Sequence, residues 1–352
     1  MSSFFKDKTI LVTGATGSIG SEIVKQLLKE NPKTVRIFSR DEHKQFLMRQ
    51  RIGDPDEIRY FLGDVRDQPR LVRAMEDVDY VFHCAAYKHV PLCEYNSFEA
   101  VKTNVIGTQN VIEAAYQQNV KRVLFVSTDK AASPSNVMGA TKLLAERLMT
   151  SAMSSRGQHP IIFSSVRFGN VLGSRGSMVP TFCNQIQARG PVTVTDPAMT
   201  RFIMSIPDAV SLTFTAMEQM KGGELFILKM PVVRLSDLID VLIEEVAPVF
   251  DKDPASIEKR NIGIRPGEKM QELLMTAEEA QYATDSEKMF IVRSALDPFV
   301  GENPSTQLSS EAYNSATITP MRSEDIRVMI KQFLKNSPLS IAVQEVELKI
   351  DS

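Results

Sequence analysis

Ser127-Thr128-Asp129-Lys130 sets hydroxyl, carboxylate and amine on consecutive residues, directly after the apolar run Val123-Leu124-Phe125-Val126. That run reads as a buried parallel strand, and open α/β sheets bind ligands at the carboxyl ends of such strands. An acid beside a base at that point could exchange protons with a substrate. Lys142 follows on the next helical segment, after the small residues Gly139 and Ala140. The plainer alternative is a strand-end loop in which Asp129 only caps the following segment.

The amino terminus decides between these readings. Lys8 to Thr13 reads as a strand, Gly14-Ala15-Thr16-Gly17-Ser18-Ile19-Gly20 as a glycine turn, and the residues up to about Glu30 as an amphipathic helix. A second strand, Thr34 to Phe38, comes next. Glycines between strand and helix allow a tight turn and close approach of a pyrophosphate to the backbone, so Gly14, Thr16, Gly17, Ser18, Ile19 and Gly20 are expected to bind a dinucleotide. At the tip of the second strand an acidic residue would hold the ribose hydroxyls of NAD, whereas arginine would take the 2′-phosphate of NADP. Ser39-Arg40-Asp41 favours NADP, although Asp41 is one step further on and could take the other role.

Strand-like runs at 8–13, 34–38, 58–62, 79–84, 121–127 and 161–166 alternate with helix-like segments. This is the pattern of an α/β, Rossmann-type doubly wound parallel sheet. Asp64 follows the third strand, where it could also cap the next helix. Ala85 and Ala86 at the end of the fourth are small enough for a cofactor to lie against the backbone. Asn104 falls on a helix reading from about Glu94 to Gln117, as a local bend or as a polar group facing the site. After Arg167, Gly169, Gly173, Gly176, Pro180, Gly190, Pro191 and Pro197 break the alternation, which suggests a smaller C-terminal substrate-binding domain. The expected division is a dinucleotide-binding domain at 1–169, with the sheet revisited near 205–246, a substrate-binding region at 170–204 and 247–300, and a C-terminal extension at 301–352. Arg175, Arg201 and Arg265 sit in glycine-, proline- or threonine-punctuated loops and could clamp a diphosphate. Read singly, each is a solvated arginine.

Composition narrows the classes. The 352 residues can bury a substantial core, and 43% apolar with 24% charged residues is ordinary for a globular protein. A net charge of −2 gives no general attraction to nucleic acid. Cys84, Cys93 and Cys183, with four histidines, are too few and scattered for a disulfide framework or a zinc site, so no metal is expected. No apolar run reaches transmembrane length and Lys6 and Lys8 lead straight into the first strand, so neither membrane insertion nor a signal peptide is expected, and the cytoplasm is the default.

The glycine turn, Ser39 to Glu42, His83-Cys84-Ala85-Ala86-Tyr87-Lys88-His89-Val90-Pro91, Asn104 to Thr108, Thr128-Asp129-Lys130, Arg167 to Ser177 and Arg265-Pro266-Gly267-Glu268-Lys269 together resemble the extended short-chain dehydrogenases that act as UDP-N-acetylglucosamine 4,6-dehydratases in surface-glycan synthesis. The resemblance spans roughly residues 7 to 295. It implies a tightly held NADP, regenerated in each turnover, a UDP-sugar substrate and a homo-oligomer. It sets Asp64 and Val65 beside the adenine, Asn104 and Lys142 at the cofactor, Lys88 and His89 near cofactor and sugar, and Arg167, Asn170, Arg175, Arg201, Arg265 and Glu268 on the substrate. Lys130 would be the C5 base, Asp129 the acid at the C6 oxygen, and Thr128 the hydrogen-bond partner of the C4 oxygen. The wider superfamily carries Tyr-x-x-x-Lys where this chain has Met138 before Lys142. A thioether cannot exchange a proton, so the group that accepts the C4 hydroxyl proton is left open between Asp129, a neutral Lys142 and a water relay. The Met-bearing branch inclines the C5 outcome towards retention. Rival readings are a nucleotide-sugar epimerase or reductase, and a non-catalytic NADP-binding sensor.

Overall fold

Apolar runs build six strands in the first half of the chain: β1 (Thr9–Thr13), β2 (Thr34–Ser39), β3 (Ile58–Leu62), β4 (Tyr80–His83), β5 (Arg122–Val126) and β6 (Ile162–Arg167). The computed structural model describes residues 4–294 and 312–335. Every residue of β1 and β4 is buried, as expected of parallel strands covered on both faces. With three later strands they form one nine-stranded sheet, ordered Ala283–Asp285, Met289–Val292, Leu225–Leu228, β6, β5, β4, β1, β2, β3. β1 lies between β2 and β4, parallel to both, so the order reverses there. The crevice past the ends of β1 and β4 is therefore the switch point where such sheets bind ligands.

The chain divides into two units. Among the described residues, the first comprises 4–168, 207–229, 274–294 and 312–313, and the second 169–206, 230–273 and 314–335. This differs from the sequence expectation in three respects. Residues 274–294, expected with the substrate-binding region, belong to the first unit, where Met289–Val292 pairs antiparallel with Leu225–Leu228 and Ala283–Asp285 pairs antiparallel with it. The apolar stretch Met289-Phe290-Ile291-Val292 makes it a sheet strand. The helix Leu235–Val246, read as part of the revisited sheet, belongs to the second unit. Of the 301–352 extension, 314–335 lies in the second unit, while 301–311 and 336–352 fall outside the described residues.

The helix expected from Glu94 to Gln117 is broken into Val90–Tyr95, Ser97–Val101, a π-helical turn at Lys102–Ile106, and Gly107–Gln117. The π turn re-aims Asn104 into the protein, where it is 1% exposed. Such bulges often mark functional sites.

One ion cluster locks β6 to its neighbours in the first unit. The Arg167 guanidinium, fully buried, donates from Nε and Nη2 to Glu146 at 3.0 and 2.6 Å, from Nη1 and Nη2 to Glu279 at 2.9 Å each, and from Nη1 to the Leu274 carbonyl at 2.8 Å. Glu146 comes from the helix Val137–Ser155, and Glu279 from the short helix Ala277–Ala280, which a Thr276–Glu279 capping box closes. The substrate contact expected of Arg167 is thus corrected: its donors are engaged by two carboxylates and a carbonyl, away from solvent.

The second unit has its own core. Thr200–Met204 pairs antiparallel with Val232–Arg234 and parallel with Asn170–Val171, and Val192–Val194 pairs with Lys259–Asn261. Helices Met178–Gln187, Leu235–Val246 and Ser323–Lys335 bury Phe182, Ile186, Leu238, Leu242, Ile326 and Ile330 in one cluster. Burying each such side chain contributes about 1.5–3 kcal/mol.

Replacing Arg167 by Met would leave the largely buried Glu279 without a counter-ion and Glu146 with only the nearby Lys142 charge, and we expect a loss of about 3–5 kcal/mol in stability. Burial raises the Glu279 carboxyl, but the Arg167 charge and hydrogen bonds outweigh it and hold Glu279 below the usual carboxylate range. That stabilisation is present above the ordinary carboxylate pKa and is lost as pH falls through the depressed folded value. The gap between wild type and Arg167→Met in denaturant melts should therefore narrow on acidification; an equal gap at all pH values would refute the assignment.

Candidate active site

Thr13 and His83 are the last residues of β1 and β4 and stand in register. Both are fully buried, and Thr13 Oγ1 lies 2.7 Å from His83 Nδ1. On the other side of the ring, Nε2 is 3.0 Å from Thr108 Oγ1, whose hydroxyl donates to the Asn104 carbonyl at 2.7 Å. With that proton committed, Thr108 accepts from His83, which makes Nε2 the protonated nitrogen and Nδ1 the acceptor from Thr13. Burial, and secondarily the Lys142 charge, push the His83 pKa down to about 3, so the ring is neutral. The side chain of Asn104 extends the connection: Nδ2 donates to the Tyr87 carbonyl and to Thr141 Oγ1, both at 3.0 Å, and Oδ1 accepts from the Tyr87 amide at 2.8 Å. Thr141 belongs to the helix that carries Met138 and Lys142.

After β5 the chain makes a 3-10 turn, Asp129–Ala131, in place of a free loop. Asp129 is 2% exposed, and its Oδ1 accepts from Thr128 Oγ1 at 2.7 Å, from the Lys130 amide at 3.0 Å and from Lys130 Nζ at 3.1 Å. Acid and base are in contact, and the Lys130 side chain remains 29% exposed. Gly139 makes room for the turn, since a Cβ there would come within 2.2 Å of the Lys130 carbonyl oxygen. Asn136 caps the helix by accepting from the Gly139 amide at 2.8 Å.

Lys142 is 5% exposed; its Nζ donates to the Val126 carbonyl at 2.6 Å and lies 3.9 Å from the centre of the Phe125 ring. Burial pushes its pKa down to about 8, with the nearby Glu146 opposing the shift. Met138 is buried in an apolar cluster with Cys93 and Ala100.

The glycine turn fits a dinucleotide. Gly14 has φ +64°, and a Cβ there would meet the Ala85 amide at 2.7 Å, so the β1 and β4 loops approach closely only because it is glycine. The helix Ser18–Leu27 starts at Gly17 with no side-chain cap, which leaves its amino end suited to a phosphate. Thr16, Ser18, Ile19 and Gly20 line this turn, and the half-buried Ala85 and Ala86 face it from the neighbouring strand end. Ser39 is buried and Arg40 exposed at the end of β2. Asp41 caps the following helix through the Lys44 amide and pairs with Lys44 Nζ at 2.6 Å, so its carboxylate is engaged by its own helix. Asp64 pairs with Arg66, and the cap of the helix Gln68–Ala74 that Asp64 could have supplied comes from Asp67. Val65 is buried, whereas Lys88 and His89 are exposed beyond β4.

Within the second unit, Arg175 and Arg265 are exposed, and the Glu268 carboxylate accepts from the Arg265 amide at 3.3 Å. Asn170 Nδ2 donates to the Phe202 carbonyl at 3.2 Å. Arg201 is buried, with Nε 3.3 Å from Glu272 and Nη1 on the Thr200 carbonyl, so a ligand would have to share its donors. His83, Thr13, Tyr87 and Glu146 had no place in the sequence reading of the site. A polar residue at the carboxyl end of each of two adjacent, largely apolar strands is the signal that points to the first two.

The family model described as polysaccharide biosynthesis protein matches residues 10–294. The chain belongs to this family. It is similar to an uncharacterised membrane protein of Methanocaldococcus jannaschii, 54% identical over 333 residues that cover 94% of this chain and 98% of that one. It is also similar to UDP-N-acetylglucosamine 4,6-dehydratase (inverting) of Campylobacter jejuni, 42% identical over 83% of this chain and 84% of that protein. UDP-glucose 4-epimerase of Rickettsia felis is likewise 42% identical, over 80% and 81%. Among solved structures, Pen from Bacillus thuringiensis superposes with a TM-score of 0.88 at 49% identity, covering 94% of this chain and 98% of that one. The dTDP-glucose 4,6-dehydratase DesIV of Streptomyces venezuelae, solved with NAD and TYD bound, gives a TM-score of 0.67 at 23% identity over 74% and 86%, a likeness of fold alone. The expected Rossmann-type class therefore stands, as a large, mostly parallel sheet covered by helices. Among the described residues, no helix of this family member is long and apolar enough to cross a membrane.

Lys142 should titrate with a midpoint of about 8, being cationic below it and neutral above. With ¹³C-labelled lysine, one side-chain resonance should move through that range and vanish in Lys142→Met. Lysines that all titrate in the normal range near 10 would contradict the burial argument.

Proposed function

We propose that the protein is a nucleotide-sugar 4,6-dehydratase, acting on UDP-N-acetylglucosamine with NADP as cofactor. The observation that carries this reading is the contact of Asp129 with Lys130, 3.1 Å apart at the end of β5, beside the glycine turn's switch point. The 42% identity with the Campylobacter dehydratase supports it. Arg40, standing where an acidic residue would favour NAD, supports NADP.

The dinucleotide, when bound, would supply the acceptor for the C4 hydride and return that hydride to C6. The chain's own groups handle the protons. A C4 ketone acidifies the C5 hydrogen, and the partly exposed Lys130 amine, in its neutral form, is assigned its removal. Asp129, buried and hydrogen-bonded by Thr128, gives its proton to the departing C6 oxygen, so that water leaves a 4-keto-5,6-ene, which hydride at C6 and a proton returned to C5 convert to the 4-keto-6-deoxy sugar. Removal of a proton at C5 and loss of hydroxide at C6 balance as one water. Thr128 orients the C4 oxygen. Lys142, cationic at neutral pH, would hold the nicotinamide ribose and supply positive charge there. Asn170, Arg175, Arg265 and Glu268 are assigned to the nucleotide diphosphate, with Arg201 as a buried support. Lys88 and His89 are assigned to cofactor and sugar. Because the Campylobacter relative is named an inverting enzyme, inversion at C5 replaces retention as the outcome we put forward.

A nucleotide-sugar epimerase is the second reading, favoured by the Rickettsia relative at the same identity. Epimerisation needs C4 oxidation and reduction but no acid–base pair for elimination. Incubating the protein with UDP-N-acetylglucosamine separates the two by mass: loss of one water indicates the dehydratase, unchanged mass with altered retention time the epimerase. Lys130→Met should keep its dinucleotide and stop exchange of the C5 hydrogen with solvent deuterium; exchange at the wild-type rate would remove Lys130 from the base role. Met138→Leu, similar in volume, should cost under about 1.5 kcal/mol and retain turnover. A folded Met138→Leu variant without activity would show that the thioether has a specific role.

A further inference from the structure

Arg40 is half exposed at the end of β2, yet its guanidinium is held in place. Nη1 donates to the Tyr87 hydroxyl at 2.8 Å, and Cζ lies 4.9 Å from the centre of the Tyr87 ring. A single side chain thus stacks on and hydrogen-bonds to the same partner. Tyr87 is itself fixed, because its amide and carbonyl are both taken by the buried Asn104 side chain, at 2.8 and 3.0 Å. The backbone that carries the ring therefore cannot drift without breaking a buried amide's bonds, and the ring packs against the cluster of Cys93, Ala100 and Met138.

The carboxylates nearest Arg40 are matched by other cations. Asp64 Oδ2 is 3.7 Å from Arg40 Nη1 but 2.7 Å from Arg66 Nη2, and Asp64 Oδ1 accepts from the Arg66 amide at 3.0 Å. Asp41 is engaged by Lys44. The positive charge of Arg40 is left over for an anion, and the bond to Tyr87 uses one of five N–H donors on a fork that a phosphate takes in pairs.

We propose that Tyr87 is a specificity-determining residue, a platform that pre-orients Arg40 for the 2′-phosphate of the dinucleotide. The inference rests on the NADP reading above. Arginine on a free stem loses rotamer freedom when it clamps a phosphate, and stacking it beforehand removes part of that loss. A dinucleotide without the 2′-phosphate gains nothing from the arrangement, so Tyr87 should act on the choice between cofactors and leave general affinity alone.

Full-length protein equilibrated with an equimolar excess of NADP⁺ and NAD⁺, desalted and denatured, reports the preference as the ratio of nucleotides released. We expect wild type to release mainly NADP, Tyr87→Phe to lower the ratio about three-fold by losing the hydroxyl, and Tyr87→Leu to lower it about ten-fold by losing the ring as well. The amount of NAD retained should not fall. Because the ratio is internal to each sample, a partly unfolded variant still reports it, and Tyr87→Phe keeps the packing of the ring. A wild-type ratio that both variants reproduce would overturn the role of Tyr87 while leaving Arg40 as the phosphate ligand. Equal loss of both nucleotides would reduce Tyr87 to general packing and overturn the proposal. A wild type that prefers NAD would remove the cofactor reading beneath it.

Discussion

A neutral imidazole with both nitrogens bonded ties the first unit together at the point where its sheet reverses. His83 joins the end of β1 through Thr13 to the π turn through Thr108. Asn104 then reaches the helix bearing Lys142 through Thr141. Any member left unpaired in this dry interior would lose about 1–3 kcal/mol. The proton positions follow from one another, so the order of donors runs in one sense only. The same chain thereby sets the distance between the glycine turn, where a dinucleotide fits, and the turn that holds Asp129 and Lys130.

Charge is arranged around that frame in alternation. Lys142 is buried one helical turn before Glu146, Glu146 is bonded to Arg167, and Arg167 to Glu279. Removing each of these from water is unfavourable, and each is offset by the next. Glu146 opposes the effect of burial on Lys142 and leaves it cationic at neutral pH but within reach of deprotonation. If Glu146 were not held by the fully buried arginine, its carboxylate could turn towards the lysine and raise its pKa. Arg167 thus meets its partners inside the protein, at Glu146, Glu279 and the Leu274 carbonyl, which is why an arginine in this motif is fully buried.

The parts of the fold legible in the sequence are those that depend on local pattern. Unbroken apolar runs and the strand–glycine–helix order at the amino terminus gave the strands of the main sheet to within a residue or two at each end, because fully buried parallel strands need no alternation to be recognised. Residues 274–294 were misplaced because short antiparallel edge strands carry little pattern of their own and are defined by the strand they join. The π turn was invisible for a similar reason: nothing in Lys102 to Ile106 prevents an ordinary helix, and the bulge is stabilised by what Asn104 reaches. In the site, Thr128, Asp129, Lys130 and Lys142 were legible as chemistry-bearing types at a strand end. Tyr87 and His83 were not, since their meaning lies in partners 47 and 70 residues away.

Met138 brings these threads to one question. In the proposed reaction a C4 hydroxyl must lose its proton, and the position from which a phenol would take it holds a thioether packed against Cys93 and Ala100. A phenol there would add a polar hydroxyl to an apolar cluster, beside an asparagine and a threonine whose hydrogen bonds are already committed. The packing therefore supports methionine, and proton acceptance has to fall to a group already in the site. Asp129 is the carboxylate at hand, but it accepts from Thr128 and Lys130 and must hold a proton later, at the C6 oxygen. A proton taken from C4 early and delivered to C6 late is the same proton, so one carboxylate could perform both transfers without exchange with solvent. That economy favours Asp129 over Lys142, whose amine is bound to the Val126 carbonyl and whose charge is more useful kept. On this account methionine is tolerated because Asp129 takes the C4 proton and the elimination itself supplies that proton's later destination at the C6 oxygen.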